Sequence, residues 1–367
     1  RRLLPVNNKQ ATVLTDLSAI QHNFDLVREL APNSQIMAVI KANAYGHGAV
    51  EVAKALSSAS AFAVSRVSEA VQLREAGVSG DICLLSGVMN REDLNLASIY
   101  ELQVVVHSEQ QLDLLAGADA RRNIWLKVDT GMGRLGFAPD ELSRVYAKLS
   151  GQKLLGLMTH FACADDPKSD STILQLASLR AVSESLKRIN PAFGVLSTSN
   201  SAAIMTHSES CLEWVRPGLV LYGASPMLDL QSNPTLAPAM HFSAPIIAVH
   251  DVKEGTSVGY GGIWTASENT RVAIIGAGYG DGYPREIQAG TQVLLGSERR
   301  EIVGRVSMDF ICIRLQPEDL APIGEHVMLW GPGLPIEEIA RSAGTIPYTL
   351  MCHISERVRR IAMGGRR

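Results

Sequence analysis

The sequence lacks any apolar run that approaches the roughly 20 residues of a transmembrane helix, so we expect no membrane span. It also has few cysteines, five in all, which are odd in number and widely scattered. Their spacing excludes the usual zinc and dithiol motifs, so we expect reduced thiols, no metal site and a cytoplasmic enzyme. Because the chain starts at Arg1 rather than Met, a removed leader and a periplasmic location remain open.

An excess of either charge is absent too. The 34 Lys and Arg residues nearly balance the 37 Asp and Glu residues, which leaves a formal net charge of -3. Without a basic stripe the chain has no electrostatic support for binding nucleic acid, and a small molecule is the expected partner. A length of 367 residues with 46% hydrophobic content is enough for two domains, or for one large barrel with an appendage, and for a dry interior.

Short apolar segments alternate with amphipathic segments from about residue 35 to residue 225. This alternation predicts parallel strands joined by helices and closed as an eight-stranded (β/α)8 barrel of the TIM type. The predicted strands are 35–41, 61–66, 81–86, 102–107, 123–129, 153–160, 193–199 and 213–222, and the predicted helices include 16–30 (capped by Asp16), 67–76, 108–117, 139–149 and 170–189.

After Pro234 and Pro238 the pattern changes to short runs rich in valine, isoleucine and glycine, with little helical periodicity. The change predicts a second domain, mainly of β-strands, at 245–252, 271–276, 291–295, 300–306, 310–315 and 326–330. We therefore expect the barrel in residues 1–235 and a C-terminal β domain in residues 236–367. The sequence leaves open whether the segment 11–15 joins the β domain.

Polar residues stand at the carboxyl ends of the predicted barrel strands, where barrels of this kind carry their chemistry. They are Lys41, Arg66, Ser86, His107, Lys127 with Asp129, His160, Ser199 with Asn200, and Arg216. Lys41 is the most informative, because it ends the apolar run 36–40 and opens the glycine-punctuated loop 41–48. Loss of hydration there would lower the pKa of its ammonium and allow a Schiff base. The alternative is a lysine that merely extends from a strand end into water.

Seven longer motifs give the chain a resemblance to alanine racemases, which are pyridoxal phosphate enzymes of fold type III. The motifs occupy residues 38–48, 127–136, 216–223, 258–261, 278–285, 304–309 and 345–348. They stand in the family's order over nearly the whole chain. The resemblance implies a barrel that carries pyridoxal 5'-phosphate, a β domain that contributes to the partner subunit's active site in a head-to-tail homodimer, and interconversion of L- and D-alanine.

Two bases are implied for that reaction, one on each face of the substrate's α-carbon. Lys41 is one base, because passing the imine to the substrate frees its amine beside the α-carbon. Tyr260, reaching in from the other subunit, is the second by resemblance, and its phenolate needs positive charge nearby. Standing alone, Val258-Gly259-Tyr260-Gly261 would also fit an ordinary aromatic in a β loop.

The resemblance also implies which residues hold the cofactor. They are Lys41, Tyr45, His160, Asn200, Ser201, Arg216, Gly218, Leu219 and Tyr348. Arg216 would face the pyridine nitrogen, with His160 hydrogen-bonded to it. Since arginine keeps its proton, the ring would be a weak electron sink, which limits transamination. Ser201 would bind phosphate, although it also fits a helix cap.

Substrate contacts are implied for Arg134 and the backbone N–H of Met308. Lys127 supports Arg134 if it is carbamylated, as in some relatives, and Tyr279 belongs to the entry corridor. Tyr283, Arg285 and Asp309 resemble the wider rim. These assignments come from the resemblance alone.

Three other functions remain open. A decarboxylase of the same layout is disfavoured by Arg216, although Glu213 lies near it in sequence. A non-catalytic cofactor carrier is disfavoured by the motif-bearing stretch 236–367. A broad-specificity amino-acid racemase is the main alternative, because substrate size depends on corridor geometry.

Overall fold

The computed structural model describes residues 10–116, 122–149, 151–191, 193–227, 229, 231, 233 and 235–365. The chain divides into two compact units. One, the barrel unit, comprises residues 20–221 and 226–229, and the other, the β unit, comprises residues up to 19, 222–225 and those from 230 onward. Residues 1–9 of the predicted barrel domain and residue 117 of a predicted helix lie outside the described residues. None of the helices described is long and apolar enough to cross a bilayer.

Eight parallel strands close into a barrel in which each strand pairs with the next and the last pairs with the first. Following β1 (Thr12–Asp16) of the β unit, they are β2 (Gln35–Val39), β3 (Ala61–Val64), β4 (Asp81–Leu84), β5 (Gln103–Val106), β6 (Asn123–Lys127), β7 (Lys153–Met158), β8 (Leu196–Ser197) and β9 (Trp214–Val215). The predicted barrel is confirmed. Each strand ends earlier than predicted, because the chain leaves the sheet at its carboxyl end to form loops.

Nine helices are described up to residue 221. They are α1 (Leu17–Leu30), α2 (Lys41–Tyr45), α3 (Ala49–Ala55), α4 (Val67–Glu75), α5 (Arg91–Ile99), α6 (Glu109–Ala116), α7 (Leu142–Lys148), α8 (Ser171–Ile189) and α9 (Ser201–Thr206), with short 3-10 turns at Pro139–Glu141, Ser208–Ser210 and Leu219–Tyr222. The predicted cap of α1 is confirmed, because the Asp16 carboxylate accepts the N–H groups of Ser18 at 2.9 Å and Ala19 at 3.2 Å.

The β unit is built on a mixed sheet that includes the segment 11–15. Its elements are β1, β10 (Met240–Val252), β11 (Ser257–Val258), β12 (Trp264–Thr265), β13 (Thr270–Ile275), β14 (Gln292–Leu295), β15 (Glu298–Glu301), β16 (Ile311–Leu315), β17 (His326–Trp330), α10 (Ile336–Ser342), α11 (Pro347–Cys352) and β18 (Arg359–Met363), with 3-10 turns at Tyr260–Gly262 and Tyr279–Asp281. β1 runs antiparallel to β10 and parallel to β18, so residues 12–16 bridge two strands of this sheet.

Two departures of the β unit from its prediction fall on residues of the family motifs. The predicted strand 300–306 ends at Glu301, and Gly304 follows with a φ of 72°, which breaks the extended conformation. Tyr283, expected at a rim, is instead in the core: it is 1% exposed and stacks on Trp330, with ring centroids 6.0 Å apart and planes 20° apart. The rim prediction for Tyr283 is therefore wrong, because its ring completes an aromatic cluster.

Candidate active site

Lys41 lies two residues after Val39, the last residue of β2, and begins a short turn with left-handed backbone angles. Its four successors, Ala42, Asn43, Ala44 and Tyr45, have φ angles of 51° to 53°, which is the left-handed region. Each such residue other than glycine costs roughly 1–2 kcal/mol, so four in succession require strong support from their surroundings. The turn reverses the chain at the carboxyl end of β2, where Lys41 is half-buried.

Positive charges crowd at this end of the barrel. Lys127, the last residue of β6, is only 8% exposed. Burial, together with the charges of Arg216, Arg134 and Lys41, lowers the pKa of its ammonium from 10.5 to about 8. The buried Cys83 supplies no negative charge, because burial raises the pKa of its thiol to about 12. A site of this composition favours an anionic ligand.

Arg216 is buried beside β8 and β9 and is held by hydrogen bonds to neighbouring strand ends. Its guanidinium donates to the Ser197 hydroxyl at 2.7 Å and to the carbonyl oxygen of Thr159 at 2.6 Å, and its Nη2 lies 3.4 Å from Nδ1 of His160. Burial lowers the pKa of Arg216 only to about 10, so it remains charged at neutral pH. Burial and the Arg216 charge hold the pKa of His160 well below its ordinary value, which keeps that imidazole neutral.

The loop that carries Arg134 is organised by Asp129. The Asp129 carboxylate accepts the backbone N–H groups of Gly131 at 3.0 Å, Met132 at 2.9 Å and Gly133 at 3.1 Å. Partial burial acts to raise the pKa of Asp129, but these N–H groups outweigh it and lower the pKa below its ordinary value. Arg134 itself is exposed, so its guanidinium is accessible to a small anion.

Tyr45, Ser201 and Gly218 meet in a compact, buried cluster. The Ser201 hydroxyl oxygen accepts the N–H groups of Gly218 at 2.9 Å and Val220 at 3.2 Å. A Cβ at Gly218 would stand 2.6 Å from the Tyr45 hydroxyl oxygen, so only glycine fits there. Asn200 rather than Ser201 caps α9, because its side chain accepts the N–H of Ala203 at 3.0 Å. The cluster therefore combines hydroxyls with backbone N–H groups, which suits an anion.

Other polar strand-end residues serve the scaffold. The His107 Nε2 lies 3.0 Å from the Ser86 carbonyl oxygen, and Gln111 of α6 bonds to the same oxygen at 3.1 Å. The buried Ser199 hydroxyl donates to the Ser210 carbonyl oxygen at 2.6 Å. Arg66 is exposed before α4. The side chains of His107, Gln111 and Ser199 therefore hold loops in place.

Three of the candidate residues of the β unit, Tyr260, Tyr279 and Met308, lie on turns and are exposed. Tyr260 is 70% exposed between Gly259 and Gly261, which have φ angles of 78° and 76°. Met308 is 52% exposed, and Tyr279 is 39% exposed. The loops of Tyr279 and Met308 are tied together, because the Tyr279 N–H donates to the Ser307 carbonyl oxygen at 3.0 Å. Tyr348 is half-buried in α11.

Three residues that the sequence did not single out support these loops. Glu69 of α4 accepts the Ala42 N–H at 2.6 Å, beside Lys41. Gln175 of α8 donates to the His160 carbonyl oxygen at 3.0 Å. Arg357 bonds to Asp281 at 2.8 Å and lies 2.9 Å from Asp309. Gln175 could have been recognised from the sequence, because it is a polar residue on the apolar face of α8. Glu69 and Arg357 could not, because they resemble ordinary surface residues.

Family models match most of the chain. "Alanine racemase, N-terminal domain" matches residues 15–226, and "Alanine racemase, C-terminal domain" matches residues 239–362. Among curated proteins, the alanine racemase of Nitrosococcus oceani is 43% identical over 97% of this chain and 99% of its own length. That of Shewanella amazonensis is 42% identical over 93% of this chain and 95% of its own length.

Solved structures give the same result. The biosynthetic alanine racemase from Pseudomonas aeruginosa superimposes with a TM-score of 0.90 at 40% identity and covers 97% of this chain and 100% of its own. The alanine racemase from Acinetobacter baumannii superimposes with a TM-score of 0.90 at 35% identity and with the same coverage. The chain therefore belongs to the alanine racemase family.

Proposed function

We propose that this protein is an alanine racemase that interconverts L- and D-alanine with pyridoxal 5'-phosphate held by the barrel unit. The observation that carries the proposal is the arrangement at the carboxyl end of the barrel, where Lys41 lies among the charges of Lys127, Arg134 and Arg216. Membership of the family gives this arrangement its chemical meaning.

The residues present fit such a cofactor. Its phosphate and phenolic oxygen are anionic, and the barrel end offers a cationic site. The Tyr45 hydroxyl, the Ser201 hydroxyl and the Gly218 backbone form a close cluster that suits a phosphate. Asn200, the Leu219 backbone and Tyr348 would complete the phosphate site. When bound, pyridoxal phosphate supplies an aldehyde that condenses with amines and a conjugated ring that stabilises negative charge at the substrate α-carbon.

Two residues of this protein move the proton. Lys41 takes or returns the α-proton on one face. Its amine would hold the cofactor and would become free beside the α-carbon when the substrate amine replaces it. The Tyr260 hydroxyl of the partner subunit does the same on the opposite face. The 70% exposure of Tyr260 supports a role outside its own subunit, because a large aromatic left in water gains from burial against a second protein surface.

Arg216 sets the reaction type. A guanidinium with a pKa of about 10 stays protonated near neutral pH and presents a donor, not a proton, to the pyridine nitrogen. The neutral His160, 3.4 Å away, adds no competing charge. By keeping its own proton, Arg216 would leave the pyridine nitrogen unprotonated, which would favour return of the proton to the α-carbon over transamination.

Arg134 and the Met308 backbone N–H bind the substrate carboxylate in this proposal. Lys127 supports Arg134 as a carbamate, which forms when its neutral amine nitrogen bonds to the carbon of CO₂ and releases a proton. A pKa of about 8 supports this step, because it leaves part of Lys127 uncharged at neutral pH. The resulting carbamate would offset the surrounding positive charge. Tyr279 would limit substrate size at the corridor.

A head-to-tail homodimer completes the proposal. The barrel domain, residues 1–235, would bind the cofactor, and the β domain, residues 236–367, would contribute Tyr260 and Met308 to the partner subunit's site. The gap between the two family models, residues 227–238, supports a boundary close to residue 235. We place the enzyme in the cytoplasm, where D-alanine would serve as a peptidoglycan precursor.

The first experiment records the absorbance spectrum of the purified protein and follows D-alanine formation from L-alanine, with Lys41→Ala in parallel. We expect a visible band from pyridoxal phosphate bound to a lysine, together with turnover that Lys41→Ala abolishes. Serine, lysine and arginine serve as competing substrates. Faster turnover of lysine or arginine would favour a broad-specificity racemase, and absence of both band and turnover would refute the proposal.

A further inference from the structure

We propose that Glu69 is a positioning residue for Lys41, because its carboxylate holds the left-handed turn that follows the lysine. This inference rests on the proposed role of Lys41 as a base. It assigns a reaction-related task to a residue on a different βα unit, 27 positions after Ala42.

Three backbone N–H groups converge on this one carboxylate. Oε1 of Glu69 accepts the Ala42 N–H at 2.6 Å. Oε2 accepts the N–H groups of Ser65 at 2.8 Å and Arg66 at 2.9 Å, at the start of α4. The carboxylate therefore joins the first turn of α4 to the peptide bond between Lys41 and Ala42.

The turn needs this support because its backbone is strained. Residues 42–45 all have φ angles between 51° and 53°. At roughly 1–2 kcal/mol for each residue, a right-handed alternative would be favoured in isolation. Asn43 accepts the Ala49 N–H at 2.9 Å, and Nδ1 of His47 donates to the carbonyl oxygens of Ala44 and Tyr45, each at 3.0 Å. These contacts hold the later part of the turn, and Glu69 holds its first peptide.

The orientation of that peptide controls two groups of the site. It sets the direction in which Lys41 leaves the backbone, and it begins the turn that brings the Tyr45 hydroxyl against Gly218. Because a misplacement of about 1 Å can lower a rate on the order of 100-fold, a loosened peptide would slow proton transfer at Lys41 without removing any reacting group.

The test compares Glu69→Gln with a matched control, Asp93→Asn. Asp93 also lies in the first turn of its helix, α5, where its carboxylate accepts the Met89 N–H at 3.1 Å. Both substitutions exchange a helix-capping carboxylate for an amide of nearly the same shape. An amide has one acceptor oxygen, so the Glu69 variant cannot serve both Ala42 and the start of α4.

The unfolding temperature, kcat and KM for each enantiomer, and the isotope effect with α-deuterated alanine are measured on the reconstituted enzymes. The affinity for pyridoxal phosphate is measured on the cofactor-free proteins. We expect similar small losses of unfolding temperature in both variants. Only Glu69→Gln should lower kcat, by about 10- to 100-fold with little change in KM, and weaken cofactor affinity through Tyr45.

The isotope effect is the readout that a purely structural role would leave unchanged. In Glu69→Gln it should rise for the enantiomer whose α-hydrogen faces Lys41 and should not rise for the other, because only one proton transfer is slowed. Adding Ala42→Gly to Glu69→Gln should restore part of kcat, since glycine adopts the left-handed region freely. Even if Glu69→Gln folds poorly, this double variant provides a measurable enzyme.

Unchanged isotope effects and kcat in Glu69→Gln, in an active and cofactor-loaded background, would overturn the role of Glu69 and leave the proposed function intact. A fall in kcat equal to that of Asp93→Asn would do the same. A wild type that neither binds pyridoxal phosphate nor racemises alanine would overturn both proposals together.

Discussion

The barrel unit and the β unit carry their candidate residues in opposite ways. In the barrel unit the candidates Lys127 and Arg216 are 8% and 5% exposed, and burial lowers the pKa of each. In the β unit Tyr260 and Met308 are 70% and 52% exposed and lie on turns. The first unit holds buried positive charge, and the second leaves large side chains in water.

Each arrangement would be stabilised by a different kind of contact. Buried cations are stabilised by an anion, which for the barrel unit would be the cofactor and the substrate carboxylate. Exposed aromatic and aliphatic side chains are stabilised by a second protein surface, which for the β unit would be another subunit. The contrast predicts that substitutions in the barrel unit alter chemistry and cofactor binding, whereas those in the β unit alter catalysis across a subunit interface.

The largest expected effect tests the β unit. Tyr260→Phe should lower kcat by about 10³-fold or more, because general acid and base groups contribute on the order of 10²–10⁴-fold. Its unfolding temperature should be nearly unchanged, since the substitution removes one oxygen atom from a residue that is 70% exposed in its own subunit. Measuring kcat for each enantiomer checks the first expectation, and measuring the unfolding temperature checks the second.

Mixing Tyr260→Phe with Lys41→Ala sharpens the test. If Tyr260 acts across a two-fold dimer, random reassociation should restore roughly a quarter of wild-type activity, because half of the dimers would contain one intact site out of two. Failure of the mixture to regain activity after verified subunit exchange would place both bases in one subunit.

Arg216→Glu tests the barrel unit and should have the next largest effect. A carboxylate facing the pyridine nitrogen would favour its protonation, so racemisation should slow by on the order of 100-fold and the share of transamination should rise. Pyruvate formation measured against D-alanine formation gives this ratio, and Arg216→Lys is the control that keeps the positive charge. An unchanged ratio would remove Arg216 as the determinant of reaction type.

The stability of the protein in acid should depend on His47, which lies in the loop that bears Lys41. Burial lowers the pKa of His47 from 6.5 to about 4, so below pH 6.5 the unfolded chain binds a proton that the folded chain does not. The His47 contribution is therefore absent above about pH 6.5, and roughly 3 kcal/mol of stability is lost as the pH falls from 6.5 to 4. Urea unfolding at pH 7 and pH 4.5 should show a larger loss in wild type than in His47→Gln, and equal losses would contradict the prediction.

The smallest expected effect concerns Lys127. In ¹³C-labelled bicarbonate, the wild type should show a carbamate NMR signal that Lys127→Ala lacks. Removing CO₂ should lower kcat by about 10-fold or less, because a carbamate would support Arg134 without touching the reacting atoms. A wild type without the signal would leave Lys127 as an amine with a lowered pKa.

The sequence predicted the barrel well because its strands are continuous apolar runs with polar residues at their carboxyl ends. The same signal located Lys41, Lys127, His160 and Arg216. It did not predict α10 or α11, which are 7 and 6 residues long and too short to show helical periodicity. The burial of Tyr283 was missed because it depends on Trp330, a contact between residues far apart in sequence.

The left-handed turn after Lys41 could not be predicted from the sequence either. Local preference opposes a positive φ at Ala42, Ala44 and Tyr45, and a single asparagine, which tolerates the left-handed region, is no signal for four successive positive φ angles. Glu69 and His47 both bind the backbone of the turn, and the Glu69 contact forms only when α4 lies against α2. The supporting residues of the site were therefore less predictable than the residues they support.

Borohydride reduction of the purified enzyme, followed by peptide mass mapping, tests the central claim most directly. Reduction fixes pyridoxal phosphate to the lysine that holds it. We predict a pyridoxyl group on the peptide that contains Lys41 and none on the peptide that contains Lys127. Label on Lys127, or on neither peptide in an active enzyme, would contradict the account of this site.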